Sequence, residues 1–143
     1  MMCLRAAGFA LVLAAAPLVA VSPSLADSLE AVSNTAMSIT GDIELDDFAI
    51  VFENGEQLEF DELVGDSFNV DGSDVGASVY SIKMPADPEL NNGNQLCGQG
   101  DVTYVAVWGD PSDDTLTVVG VFDTQDVPGS NADICALYTY QYK

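Results

Sequence analysis

Hydrophobic and polar residues alternate along much of the chain, and a period of two is typical of β-strands with one buried face. Residues 37–45 alternate in this way, with an apolar residue or glycine at every second position. Residues 80–84 repeat the pattern immediately before Pro85. We expect a strand in each segment, the second one ending at the proline.

Three later segments also predict strands. Residues 102–108 and 115–122 are rich in β-branched and aromatic side chains and partly apolar on both faces, so we place them at the centre of the sheet. The last strand covers residues 135–142, where alternate tyrosines share one side. Because Tyr140 and Tyr142 lie near the terminus, we expect these two to be exposed.

The clearest hairpin has the sequence Glu-Asn-Gly between two apolar stretches. A two-residue turn would divide the apolar residues between opposite faces, since side chains alternate along a strand. A three-residue loop that ends with Gly55 in the left-handed conformation brings them together. The buried face predicted by that register consists of two pairs, Ile50 with Leu58 and Phe48 with Phe60.

Glycine, proline, asparagine and aspartate are concentrated between these strands and predict loops. Residues 62–78 have this composition, with room for a short strand around Phe68. Residues 85–101 form a second long loop, and residues 27–36 show no clear pattern. The predicted fold class is therefore all-β, an antiparallel β-sandwich or small barrel of about six to seven strands with one disulfide, preceded by a signal-peptide helix.

The first 26 residues have a different pattern. Arg5 precedes an apolar stretch over residues 6–21, and Ser24-Leu25-Ala26 follows as a site with small residues. This order is typical of a cleavable secretory signal peptide. The apolar stretch is shorter than the roughly 20 residues that cross a membrane. We predict a signal peptide over residues 1–26 and one β domain over residues 27–143, located in the periplasm or secreted, with no membrane attachment after cleavage.

The predicted mature chain is strongly acidic. All 23 acidic residues remain after cleavage, against Lys83 and Lys143, which gives a formal charge of −21. Such a field disfavours nucleic acid and anionic lipid and favours a basic protein as partner. Solubility, or adaptation to a salty habitat, is the simplest role for this charge, and metal binding is a further alternative. The candidate partner-binding acids lie in two predicted turns: Asp110, Asp113, Asp114, Asp123 and Asp126.

Cysteine usage agrees with export. Cys3 lies in the predicted signal peptide, so Cys97 and Cys135 are the remaining thiols. Two cysteines in an exported protein most simply form one disulfide. Closing a loop of this length stabilises a fold by roughly 4 kcal/mol in the chain-entropy model. A redox or metal-binding pair would need a C-x-x-C spacing or histidine ligands, which the chain lacks.

Few catalytic chemistries fit the composition. The chain has no histidine, which excludes Ser-His-Asp and Cys-His catalysis and histidine-ligated zinc. Residues 67–72 resemble part of a calcium loop, but Ser67 and Ser78 stand where acidic ligands are required. Trp108 and the last tyrosines could form a carbohydrate or partner platform, although such residues more often fill a β core. We predict no catalytic, cofactor or metal site.

Parts of the chain resemble known exported proteins. Residues 94–98 (Asn-Gln-Leu-Cys-Gly), 103–108 (Thr-Tyr-Val-Ala-Val-Trp) and 133–140 (Asp-Ile-Cys-Ala-Leu-Tyr-Thr-Tyr) resemble a pattern in small exported proteobacterial proteins that carry no assigned activity. That resemblance implies export and the disulfide. Residues 76–80 are similar to a Ser-Gly-x-x-Tyr segment of membrane-bound lysozyme inhibitors, but the order differs and their Trp-x-Lys-Gly element is absent.

These patterns favour an exported, non-enzymatic β domain that acts by binding, without a cofactor. One alternative is an inhibitor of a cationic envelope hydrolase such as lysozyme, whose contacts the acidic loops would make. A second alternative is a hydrolase that uses carboxylates, since many acids are present, although the pattern singles out no pair. The partner and the oligomeric state stay open.

Overall fold

The computed structural model describes residues 26–143, so the predicted signal peptide lies outside the described part apart from its last residue. Within that range the eight strands are β1 (Asp27–Ala31), β2 (Ile43–Leu45), β3 (Ala49–Val51), β4 (Gln57–Val70), β5 (Ser73–Ala86), β6 (Val102–Asp110), β7 (Asp113–Phe122) and β8 (Ala136–Tyr142). Each strand pairs with the next and β8 pairs with β1, all antiparallel, which closes a barrel. The all-β antiparallel prediction is confirmed. The architecture is a barrel with more strands than expected.

Near the N-terminus the structure differs from the prediction in two short elements, a strand and a helical turn. The first part of the unassigned segment 27–36 forms β1, which pairs with β2 and with the distant β8. Residues 37–40, predicted as strand, lie in a short π-helical turn, Ala36–Thr40, in which the Gly41 N–H donates to the Ala36 carbonyl at 2.8 Å. Gly41 ends the turn with a φ of 62°, in the left-handed region that favours glycine. Alternation of apolar and polar residues over only four positions did not distinguish a strand from a helical turn.

The prediction of a loop over residues 62–78 is wrong. β4 and β5 form a hairpin of 14 residues in each strand, joined by the two-residue turn Asp71-Gly72. Both turn residues have positive φ, 52° and 91°, as a hairpin turn matching the twist of the strands requires. The glycines that indicated a loop serve this turn and the irregular register between Phe60 and Ser67.

Strand β5 also continues through Pro85 to Ala86, beyond its predicted end. The pairing of β5 with β6 is irregular between Ser81 and Ala86. A proline is tolerated at such an irregularity because no regular ladder hydrogen bond is needed from its nitrogen.

The β3–β4 hairpin has the predicted register. Ile50 pairs with Leu58, and Gly55 has a φ of 90° at the end of the three-residue loop. Ile50, Leu58 and Phe60 are buried as expected, but Phe48 is 65% exposed. Phe48 precedes β3 in a tight turn, where Asp46 Oδ1 accepts its N–H at 2.7 Å. The prediction that Phe48 belongs to the buried face is therefore wrong.

The interior of the barrel is filled with side chains. Its largest fully buried members are Tyr138, Tyr140, Leu29, Ile43, Ile50, Leu96, Val102, Val105 and Val119. The Tyr140 hydroxyl lies 2.7 Å from Thr40 Oγ1, and the Tyr138 hydroxyl donates to the Leu96 carbonyl at 2.6 Å. Tyr142 is exposed as predicted, whereas the expected exposure of Tyr140 is wrong because its side chain points inward.

A second apolar cluster lies on the other side of the β6–β7 sheet. It consists of Phe68, Val79, Ala106, Trp108, Val118 and Phe122. Side chains alternate along a strand, so Val105 faces the interior while Ala106 and Trp108 face this outer cluster. The far part of the β4–β5 hairpin covers it, with the Phe68 ring centroid 5.0 Å from that of Trp108. Two covered faces explain why β6 and β7 are apolar on both sides.

The predicted disulfide is confirmed. Cys97 and Cys135 are bonded, with their Cα atoms 5.4 Å apart. The bond joins the long β5–β6 loop to the residue that precedes β8. Across residues 26–143, no helix has the length and apolar character needed to span a membrane.

Candidate functional site

Three of the acids predicted to bind a partner lie at the β6–β7 turn. Asp110 ends β6, and Asp113 and Asp114 begin β7. Asp110 Oδ1 accepts from the Ser112 N–H at 2.8 Å and from its hydroxyl at 2.7 Å, and these bonds hold the pKa of Asp110 below its usual range. Asp113 Oδ1 accepts from the N–H of Thr115 at 3.0 Å. The carboxylates shape the turn and present fixed negative charge.

The other two predicted acids lie at the far end of β7. Asp123 follows that strand, and Asp126 lies in the exposed part of the β7–β8 connection. Ten positions of extended chain separate Asp113 from Asp123, a distance of about 30 Å. The structure therefore divides the predicted acidic surface into two separate groups.

An outer groove of about 440 Å³ lies beside the first group. Trp108 and Val118, both buried, line it together with Leu137, which is 45% exposed. Asp110 borders this groove, and so does Asp71 from the β4–β5 turn. The groove thus combines apolar surface with carboxylates from two different turns.

Asp71 is held in place by Asn131, a residue 60 positions away. The Asn131 side-chain amide donates to Asp71 Oδ1 at 2.9 Å, and the Asp71 N–H donates to Asn131 Oδ1 at 3.2 Å. Sequence reasoning considered Asp71 only as part of the calcium-like segment 67–72 and missed Asn131, because their contact joins two segments that are distant in the chain. The Asp71-Gly72 pair, flanked by alternating apolar residues, was the signal for a hairpin turn at this position.

A smaller cavity, of about 170 Å³, lies at the end of the barrel beside the β2–β3 turn. Asp27, Asp46, Asp47 and Tyr80 line it. The Tyr80 hydroxyl donates to Asp47 Oδ1 at 3.1 Å, and burial raises the pKa of this tyrosine. Asp46 Oδ1 accepts the Ala49 N–H at 2.9 Å. Two of its three carboxylates are engaged internally, so we place the candidate site in the larger outer groove.

Neither of the two arrangements with metal-binding residue types has the geometry of a metal site. Residues 67–70 belong to strand β4, so their side chains point to alternate faces and do not converge as in a calcium loop. The sulfur atoms of Cys97 and Cys135 and one Asp123 oxygen lie within 4.8 Å of one another. Both sulfurs are joined in the disulfide, whereas metal ligation requires thiolates.

The acidic side chains lie on the surface throughout the described residues. None of the 23 Asp and Glu residues is among the buried ones. Within residues 26–143 two ion pairs form: Lys143 Nζ lies 3.1 Å from Asp42 Oδ2, and Lys83 Nζ lies 3.8 Å from Glu59 Oε2. Most of the carboxylates in this part of the chain therefore lack a cationic neighbour.

Comparison with known proteins adds no functional information. No protein-family model matches the chain, and no curated protein or solved structure matches it either.

Proposed function

We propose that this protein is an exported, acidic β-barrel that acts by binding a basic protein, without a cofactor and without catalysing a reaction. The observation that carries the proposal is the placement of the carboxylates. All 23 lie at least partly in solvent, and the described part of the chain offers two lysines to oppose them. A field of this sign attracts cationic proteins and speeds their encounter.

Export to the periplasm or the medium is part of the proposal. The Cys97–Cys135 disulfide is compatible with an oxidising compartment outside the cytoplasm, where such bonds form and persist. The sequence of residues 1–26 supports the same destination, because it has the order of a cleavable signal peptide.

The exposure of the acids favours binding over carboxylate-dependent hydrolysis. A carboxyl group that acts as a general acid near neutral pH needs a raised pKa, which burial supplies. The carboxyls of the described residues are not buried, and the pKa of Asp42 and of Asp110 is lowered by hydrogen bonds.

Inhibition of a cationic envelope hydrolase such as lysozyme is the more specific form of the same proposal. The observation that favours it is the β6–β7 turn, where hydrogen bonds to Ser112 and Thr115 fix Asp110 and Asp113 on either side of the exposed turn residues. Fixed charges lose little conformational freedom when a partner binds, which favours affinity.

A binding panel tests the proposal. The oxidised domain over residues 27–143 is immobilised and exposed to basic and acidic proteins, lysozyme among them, at low and moderate salt, and lysozyme activity is measured in parallel. We expect selective retention of basic proteins that weakens as salt rises, because salt screens exposed charges. Retention of acidic or neutral proteins without salt dependence, or no retention of any basic protein, would leave the charge as a solubility device.

A further inference from the structure

The outer groove combines two features, an apolar floor and a border of carboxylates. Its apolar part comes from Trp108, Val118 and Leu137, and carboxylates border it from the β4–β5 and β6–β7 turns. The volume of about 440 Å³ lies within the range of about 300 to 1,000 Å³ for small-ligand sites. An occupant that matches both features has an apolar stem and a positively charged end.

We propose that this groove receives an arginine side chain of the basic partner, an inference that rests on the proposed function. The aliphatic stem of the arginine packs on the exposed Leu137 and on the part of the Trp108 ring that lines the groove, and its guanidinium group hydrogen-bonds to Asp71 and Asp110. Long cationic side chains bury their stems on apolar surface and keep the charged end near polar groups. Arginine suits the site better than lysine because its planar group donates several hydrogen bonds at once.

The groove is prepared for such a ligand. Asn131 holds Asp71 through two hydrogen bonds, and Ser112 holds Asp110 through two more. Carboxylates that are already ordered lose little freedom on binding. The turns that carry them are themselves fixed, one by left-handed backbone at Asp71 and Gly72 and the other by pairing of β6 with β7.

The protein carries its own reporter for this site, because Trp108 is its single tryptophan. A tryptophan-free peptide, acetyl-Arg-Leu-Arg-amide, is titrated into the oxidised domain over residues 27–143 while the fluorescence of Trp108 is recorded. Acetyl-Lys-Leu-Lys-amide, with the same charge, is the comparison. We expect a saturable change in fluorescence, with tighter binding of the arginine peptide.

Two matched pairs of substitutions distinguish binding in the groove from general attraction by the negative charge of the protein. The test variant is Asp71→Asn with Asp110→Asn, and the control is Asp61→Asn with Glu62→Gln, two exposed acids of β4 outside the groove. Each pair removes two negative charges. Asparagine retains the turn hydrogen bonds and tolerates the left-handed backbone of position 71, so both variants should melt near the parent temperature.

We expect the groove variant to bind the arginine peptide about tenfold more weakly, the loss associated with a hydrogen bond to a charged group, and the control to bind almost as the parent does. Leu137→Ala should also weaken binding, whereas Met84→Ala, another exposed apolar residue, should not. Equal weakening by both acidic pairs, or binding without a change in Trp108 fluorescence, would contradict arginine binding in the groove and leave the proposed function intact. Failure of every basic protein in the panel to bind would overturn both.

Discussion

The two tyrosines at the centre of the barrel each bury a hydroxyl group, and each hydroxyl has a partner. Tyr138 donates to the Leu96 carbonyl, and Tyr140 contacts the Thr40 hydroxyl. No buried side-chain nitrogen or oxygen atom in the described part of the chain lacks a hydrogen bond. Because an unsatisfied buried polar group costs about 1 to 3 kcal/mol, these partners allow tyrosine in place of phenylalanine in the core.

Removing one of these hydroxyls should destabilise the fold. Tyr140→Phe removes one hydrogen bond from the buried Thr40 hydroxyl, which keeps its contacts with the Ala36 and Gly41 carbonyls, so the free energy of unfolding should fall by about 0.5 to 1.5 kcal/mol. Tyr142→Phe is the control, because Tyr142 is 60% exposed, and it should have almost no effect. Urea unfolding of both variants measures the difference. An equal effect of the two substitutions would contradict the assigned role of the Tyr140 hydroxyl.

The same tyrosines predict a loss of stability at alkaline pH. Burial raises the pKa of Tyr138 and of Tyr140 above the value of about 10 for an unfolded tyrosine. Above that value the unfolded state releases protons that the folded state retains, so the free energy of unfolding decreases as pH rises. The contribution is complete below pH of about 10. Urea unfolding over a pH series, with tyrosinate absorbance recorded, should show this decrease, and unchanged stability through that range would contradict it.

At the scale of elements, the local sequence pattern predicted those strands whose residue types are distinctive on each of the two faces. The central pair β6 and β7, the last strand and the register of the β3–β4 hairpin follow from residue types close together in the chain. The far part of the β4–β5 hairpin could not be predicted in this way, because Phe68 is buried by Trp108 and Phe122 from distant strands. Its glycines and aspartates, taken alone, indicated a loop.

The candidate site was predictable only in part for the same reason. Asp110 was identified because acids cluster visibly in one turn. Asp71, Asn131 and Leu137 come from three other segments, and only the closure of the barrel and the folding of the hairpin over β6 and β7 bring them to one groove. A charge pattern along the chain contains no information about that convergence.

The disulfide connects two elements and should stabilise them strongly. Cys97→Ser or Cys135→Ser opens a covalent loop with a sequence separation of 38, and the expected loss is about 2 to 4 kcal/mol. Calorimetry of each variant beside the oxidised parent should show a clearly lower melting temperature. Titration of free thiols in the native protein would contradict the bond itself.

The β6–β7 turn should control the rate of association more than the stability. Replacing Asp110, Asp113 and Asp114 with asparagine removes three exposed charges and preserves turn hydrogen bonding. The association rate with a basic partner should therefore fall while the melting temperature stays nearly constant, because exposed charges contribute little to stability. Stopped-flow binding and calorimetry measure the two quantities. A large loss of stability with an unchanged association rate would show that these acids serve the turn alone.

At the scale of the whole molecule, the barrel places apolar side chains inside and acidic side chains at the surface. Aliphatic and aromatic residues fill the interior and the outer cluster, and all acids of residues 27–143 lie at least partly in solvent. Residues 27–143 carry a formal charge of −21, and so many like charges on a small domain repel one another. The disulfide and the closed barrel oppose that repulsion, and the resulting rigid negative surface is what a cationic partner would meet.

The most direct measurement is the association rate constant of the oxidised domain with a basic protein retained in the binding panel, recorded over a series of salt concentrations. If the charge guides binding, the rate constant should fall about tenfold or more as salt rises and screening shortens to about 10 Å at 0.1 M. The dissociation rate should change much less. An association rate that is independent of salt would contradict binding to a basic partner through this acidic surface.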